Sequence, residues 1–221
     1  MTENALELVD LQSRDPDAWG PPLSLRVPAS SFVTLVTSPG HAVALFRILL
    51  GLESPAAGQV SVLGENPHTL PRAGLQRLRR RVGSSLLPDG LIANITLRAN
   101  VALPLVFGDG CSHRESNERA DEILARFDLA RWADARPSDL APDTRQVAAL
   151  ARAVAARPAL LLLHDPLTSV SNADAVHLLT ICHEFAGSVL AAVHGEDEAV
   201  CMMADAAAVW DTRGYREIVR A

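Results

Sequence analysis

Leu6, Leu8 and Leu11 alternate loosely with polar residues, and this spacing predicts a strand over 6–11. A turn-rich stretch follows at 14–22, then a second short strand at 24–27 that Pro28 ends. Residues 32–36 (FVTLV) are an apolar, β-branched run suited to a buried strand. Thr37-Ser38-Pro39-Gly40 breaks it, and helical spacing over 43–50 runs up to Gly51, a fitting C-terminal cap. A strand is expected at 59–63, a helix at 71–81 and a strand at 82–86. Helices follow at 96–105 and 115–127, on either side of the loop Gly108-Asp109-Gly110, and a further helix at 144–156 ends at Arg157-Pro158. The four leucines at 160–163 read as a fully buried strand running straight into His164-Asp165-Pro166. A helix at 173–185, a strand at 189–193, a helix at 197–204 and a strand at 207–210 complete the pattern. Such alternation predicts an α/β fold around a mainly parallel sheet.

Composition narrows the chemistry. The chain has 221 residues, 48% of them hydrophobic and 21% charged, an ordinary globular mix with enough length for a substantial core. All 20 basic residues are arginine, which excludes any mechanism built on a lysine. The formal charge of −6 argues against a nucleic-acid partner, because phosphate neutralisation needs a basic face. The acidic start lacks the pattern of a signal peptide, and no apolar run approaches the ~20 residues of a membrane span. Cys111, Cys182 and Cys201 form no CxxC pair, so a disulfide framework is not expected and the chain reads as a protein of a reducing compartment. His177 and His183 stand six apart, which is not the spacing of a helical metal site, and no metal ligands are assigned. The arginines at 72, 77 and 79–81 read as a solvated helix face.

The order of elements and several words along the chain carry a family likeness. The strand, loop and helix over 34–52 finish on Gly51-Leu52. Residues 91–105 read LIANITLRANVALPL, residues 139–158 read DLAPDTRQVAALARAVAARP, and residues 160–166 read LLLLHDP. Val193-His194 and the strand over 204–211 follow. Together these resemble the ATP-binding subunit of an ABC transporter: P-loop, segment after the Q-loop, signature helix, Walker B strand and H-loop histidine in order. The resemblance implies a P-loop NTPase-like parallel sheet core with a small antiparallel β subdomain and a helical subdomain. It implies one domain over 1–221, with 1–86 and 158–221 as core and 87–157 as the helical subdomain.

The likeness fails where nucleotide would be touched. The family's GxxGxGK(S/T) loop wraps phosphate in backbone N–H groups and adds a lysine and a Mg²⁺-binding hydroxyl. Here Ser38, Gly40, His41, Ala42 and Val43 occupy that degenerate P-loop, with Ala42 in the lysine's place and Pro39 removing an N–H donor. In Walker B, Pro166 fixes a register that puts His164 where the Mg²⁺-binding aspartate belongs and Asp165 where the water-activating glutamate belongs. Mg²⁺ selects hard oxygen ligands over imidazole. Leu87 replaces the Q-loop glutamine, and the signature LSGGQ becomes Leu140, then Ala141, Pro142, Asp143 and Thr144. Asp143 would face the γ-phosphate of an opposite subunit's nucleotide with the wrong sign of charge. The adenine-stacking aromatic is absent at Asp15, with Trp19 as the nearby substitute. Asp165 and His194 are the catalytic remnants that the resemblance implies.

Three readings stay open on the sequence. In the first, the chain is a catalytically degenerate ATP-binding subunit, a pseudo-ATPase that couples to an integral-membrane permease at the cytoplasmic face of the membrane. Leu87, Leu97 and Val101 would face the permease, a second ATP-binding subunit would complete the pair, and ATP with Mg²⁺ would remain only as weakly held cofactors. Residues 91–105 resemble subunits serving phospholipid or lipoprotein traffic. In the second, Asp165 and His194 sustain a divergent but active transport ATPase. In the third, a soluble regulatory module keeps the fold without a permease.

Overall fold

A computed structural model describes residues 4–15, 19–86, 90–108, 110–166, 170, 172–195, 203–211 and 213–218. Nine strands and six α-helices are defined among them: β1 (Asn4–Gln12), β2 (Leu23–Pro28), β3 (Phe32–Thr37), α1 (Pro39–Leu49), β4 (Ala57–Val62), α2 (Arg72–Arg80), β5 (Val82–Ser85), α3 (Leu97–Phe107), α4 (His113–Arg126), α5 (Pro142–Val154), β6 (Leu160–His164), α6 (Asn172–Phe185), β7 (Val189–Val193), β8 (Ala206–Asp211) and β9 (Gly214–Ile218).

Two sheets share the chain. A three-stranded antiparallel sheet runs β2-β1-β4, and a six-stranded sheet runs β5-β6-β7-β3-β8-β9. The second is parallel throughout except for the β8–β9 hairpin at its edge. The burial patterns separate the two classes. Strand β2 alternates buried and exposed along its whole length, with one face solvated, whereas every residue of β6 and β7 is buried. Parallel strands covered on both faces need continuous apolar runs, and LLLLH and VLAAV provide them.

The core divides along the central sheet. Leu161 and Leu163 point to one side, where they meet the buried faces of α3, α4, α5 and α6. Leu160 and Leu162 point to the other, where they join α1 and the antiparallel sheet. Leu97 and Val101 lie in the first cluster, fully buried. This corrects their expected permease-facing role: on α3 the 97/101 stripe is the one that packs inward, and Phe107 is the large apolar side chain left in solvent, at 72% exposure. Leu87 lies outside the described residues, as does most of the helix expected over 197–204.

Helix starts explain the remaining boundary differences. Thr96 caps α3 through Ala99 N–H, and Ser112 caps α4 through Glu115 N–H, which brings the start of α4 to His113. Gly51 stands just past the end of α1 at φ +64 and donates to Ile48 O, the left-handed stop that glycine makes cheaply. Strand β9 was not legible in the sequence pattern.

Candidate functional site

The carboxyl ends of the parallel strands are where an open α/β sheet presents ligands, and three of the resemblance's motifs converge there. Strand β3 leads into α1, β6 ends on His164 and Asp165, and β7 ends at Val193 before His194. Because β6 and β7 are register neighbours, with His164 opposite Ala192, the residues that follow them meet.

No loop separates β3 from α1. Thr37 ends the strand, Ser38 is the N-cap and Pro39 is already the first helical residue, so TSPG is a strand-to-helix junction rather than the turn its composition suggests. The junction has consequences for phosphate. Pro39 has no N–H, His41 N–H donates to Ser38 Oγ at 3.2 Å, and Ala42 N–H donates to Ser38 O at 3.0 Å. Gly40 is left to offer its N–H to a ligand. Ala42 is buried, and Val43, at the helix surface, carries no polar atom. His41 is buried too, its Nδ1 3.3 Å from Thr37 Oγ1 and its ring 4.7 Å from that of Trp210. Burial lowers its pKa, partly offset by the charge of Asp211. Its side chain therefore anchors α1 rather than reaching outward.

Trp19 is likewise not offered to an adenine. Its ring meets that of Trp210 edge-on at 4.6 Å, its Nε1–H donates to Leu11 O, and the side chain is buried. An indole is worth more inside a small sheet's core, with its N–H satisfied, than on a wet surface.

Asp165 occupies a left-handed backbone position, φ +40, and is 6% exposed. Its Oδ1 accepts the backbone N–H of His194 at 2.6 Å, and its own N–H donates to Ala192 O. Gln146 Nε2 donates to the Asp165 carbonyl at 2.9 Å, tying α5 to the same point. The carboxylate thus stitches the end of β6 to the end of β7. His194 contributes its backbone to this stitch and leaves its side chain in solvent.

His164 is the residue that the candidate catalytic pair left out. It is 2% exposed, and neither ring nitrogen makes a hydrogen bond. Nε2 lies 3.4 Å from Asp165 Oδ2, close enough for Coulomb attraction but outside hydrogen-bond geometry. Desolvation lowers its pKa, and the Asp165 charge only partly opposes that. His164 is among the residues bounding a groove of ≈ 940 Å³ between α1 and the turn after β1, with Arg14, Asp15, Gly40, Arg47 and Glu53, but both of its ring nitrogens are closed off from it. Arg47 is held by Glu53 at 2.5 Å. Arg14 and Arg47 gave no sequence signal, because only the fold brings residues 14, 47 and 164 to one groove.

The residues that the resemblance places at the signature lie apart from this groove, at the start of α5. Ala141 is an N-cap without a capping side chain, Pro142 is the first helical residue, and Asp143 is exposed. Asp143 Oδ1 accepts the Thr144 N–H at 2.6 Å and its hydroxyl at 3.3 Å. This helix start already carries its own negative charge, which opposes a phosphate there. Among the described residues no cluster of His, Cys, Asp or Glu could hold a metal ion.

Comparison with known proteins adds the family. The ABC transporter family model matches residues 23–168. Methionine import ATP-binding protein MetN 2 of Pseudomonas aeruginosa (strain UCBPP-PA14) is 32% identical over 167 residues, 74% of this chain and 49% of that protein. MetN of Xanthomonas axonopodis pv. citri is 30% identical over 194 residues, 86% of this chain and 58% of that protein. The chain spans about half the length of these curated relatives. Among solved structures, the dimeric bacterial ABC transporter cassette MJ0796 superposes with a TM-score of 0.84 at 22% identity, covering 98% of this chain and all of that one. The cbiO1 protein of Clostridium perfringens, part of an ABC transporter complex, gives 0.78 at 17% identity over 99% of this chain and 88% of its own.

Proposed function

This chain belongs to the ABC transporter family as an ATP-binding domain, and we propose that it is a catalytically degenerate member, a pseudo-ATPase that couples to a permease without hydrolysing ATP itself. The observation that carries this reading is the stitching of Asp165: the carboxylate at the water-activating position is buried and engaged by the His194 N–H. A base must be reached by the water it polarises, and at 6% exposure the Asp165 carboxylate offers little such access. The missing lysine and loop at the head of α1 point the same way.

In this reading a second, motif-complete ATP-binding subunit supplies the power, and an integral-membrane permease supplies the path. The chain would sit peripherally at the cytoplasmic face of the membrane; among the described residues no helix is long and apolar enough to cross one. With Leu97 and Val101 in the core, the permease contact falls instead to the ≈ 540 Å³ groove between α2, α3 and α5, beside the exposed Phe107. The relatives are named for methionine import, so an importer replaces the expected phospholipid or lipoprotein traffic as the transport class.

The test is ATP turnover by the purified full-length chain, alone and in the complex extracted with it from native membranes. The expected result is no phosphate release by the chain alone, with a permease and a motif-complete ATPase in the complex. Turnover by the chain alone that Asp165→Asn or His194→Ala abolishes would overturn the reading in favour of an active, divergent ATPase. Absence of a permease from every fraction would favour a regulatory module.

A further inference from the structure

We infer that the outer face of α2 binds the anionic phospholipid headgroups of a membrane leaflet through Arg72, Arg77 and Arg80. The inference deepens the reading above and rests on it in one respect: a permease seated in the groove between α2, α3 and α5 brings α2 to the bilayer side of the chain.

The charge on this helix is local and unbalanced. Residues 66–88 hold five arginines and no acid, in a chain whose net charge is −6. Two of the five have partners within the fold. Arg79 donates from Nε to Leu50 O at 2.7 Å and from Nη2 to Gly51 O at 3.1 Å, fastening α2 to the end of α1. Arg81 stands 3.6 Å from Glu65. Arg72, Arg77 and Arg80 are exposed, and among the described residues they make neither an ion pair nor a hydrogen bond. Gly74 and Leu78 hold the opposite face of the helix against the core, so these three side chains fan over about 140° of its circumference and about 12 Å of its length.

Helix electrostatics accounts for only part of this pattern. Arg77 and Arg80 lie in the last turn, where the helix dipole favours cations. Arg72 is the first helical residue, where a cation is disfavoured, and the first turn holds no acid to offset it. An external anion makes that placement favourable. The fan is convex, which suits a fluid surface that brings a phosphate to each guanidinium; an acidic peptide would have to hold its carboxylates in a fixed register. The guanidinium fork matches two phosphate oxygens at once. The acidic remainder of the chain is repelled by the same leaflet, and the two effects together turn α2 toward it.

The experiment is flotation of the full chain with vesicles at millimolar lipid, made of phosphatidylcholine alone or of phosphatidylcholine and phosphatidylglycerol in equal parts. Binding is expected to the anionic vesicles only, and to vanish in about 1 M salt, where the Debye length falls to about 3 Å. Arg72→Gln, Arg77→Gln and Arg80→Gln should each weaken partitioning about fivefold, and the three together about a hundredfold. Arg26→Gln, Arg114→Gln and Arg126→Gln in one chain remove the same charge from exposed positions elsewhere and should leave partitioning within about twofold of the parent. No flotation with anionic vesicles, equal flotation with both kinds, an α2 triple variant that floats like the parent, or an equal loss in the control variant would each overturn the inference. Release by inorganic phosphate beyond that by sodium chloride at the same ionic strength would overturn it in favour of a free-anion site. Absence of flotation together with loss of the permease from complexes of the α2 triple variant would assign the face to an acidic protein segment instead. The vesicle assay contains neither ATP nor permease, so its failure leaves the pseudo-ATPase reading standing, and ATP turnover by the chain would sink that reading without touching this one.

Discussion

Asp165 separates a structural carboxylate from a catalytic one, and replacing it measures which it is. In Asp165→Ala the acceptor of the 2.6 Å bond from His194 N–H is lost, and that partly buried N–H is left without its partner. A hydrogen bond to a charged group contributes about 1.5–3 kcal/mol net. The backbone compounds the loss: φ is +40, a region that Asp and Asn tolerate better than Ala. In a chain of this length each 1 kcal/mol moves Tm by about 2–4 °C. The alanine variant should therefore melt roughly 5–10 °C below the parent. Asp165→Asn keeps an amide oxygen for His194 N–H and keeps the left-handed fit, so it should cost under about 1 kcal/mol. The assay is thermal unfolding by circular dichroism, checked by urea titration. A catalytic carboxylate behaves differently: its Ala variant loses activity without this loss of stability, and its Asn variant, stable in either case, loses activity too. An alanine variant within about 0.5 kcal/mol of the parent, the range of an ordinary surface change, would refute the stitching argument.

Two further outcomes follow from the packing and the buried imidazoles. A Cβ added at Gly83 would lie 2.2 Å from Ala153 O and 2.8 Å from Pro158 Cγ, so β5 and the end of α5 must separate to admit it. Gly83→Ala should lose at least about 2 kcal/mol in urea unfolding, and parental stability would show that α5 is seated differently. His41, His68 and His164 all have lowered pKa values, chiefly through burial, so each is neutral when folded and takes up a proton more readily when unfolded. Unfolding then gains protons as pH falls below about 6.5, and stability should drop from that point until the folded-state pKa values are passed, at up to about 1.4 kcal/mol per pH unit for each histidine. Urea midpoints from pH 7.5 to 5.5 test this: His164→Gln should flatten the slope, and an unchanged slope in that variant would remove His164 from the account.

How far the sequence speaks differs between framework and site. The parallel strands are legible because burial on both faces demands unbroken apolar runs, and FVTLV, LLLL and VLAAV can hardly be anything else. The head of α1 misleads because Ser, Pro and Gly compose a turn as readily as an N-cap and first helical turn; the fold chooses, since Ser38 Oγ finds the His41 N–H. Leu97 and Val101 mislead for another reason. Periodicity shows that two residues four apart share a helix face, but not whether that face meets the core or a partner. Trp19 falls to the same ambiguity, because an amphipathic ring near a site reads equally as a ligand's platform or as a core residue with a satisfied N–H.

The site itself is legible only as a set of departures, and their physical meaning needs the fold. On the sequence, His164-Asp165 is a Walker B pair with its chemistry damaged. In the structure the two residues are coupled: Asp165 Oδ1 holds the ends of β6 and β7 together, while Oδ2 lies 3.4 Å from the His164 ring and is buried with it. An acidic residue can therefore persist at this position through a purely structural requirement, even where lysine and loop glycines are gone. The fold's needs and the site's chemistry are separate constraints on one sequence, and Asp165 is where they overlap. Restoring an aspartate at 164 alone would supply a metal ligand without a base. Restoring a glutamate at 165 alone would put a longer side chain where His194 N–H now requires a short one. On the proposed reading, hydrolysis would return only if the β6–β7 stitch were rebuilt by another acceptor, so the proposed loss of catalysis lies in the packing as much as in the missing motif residues.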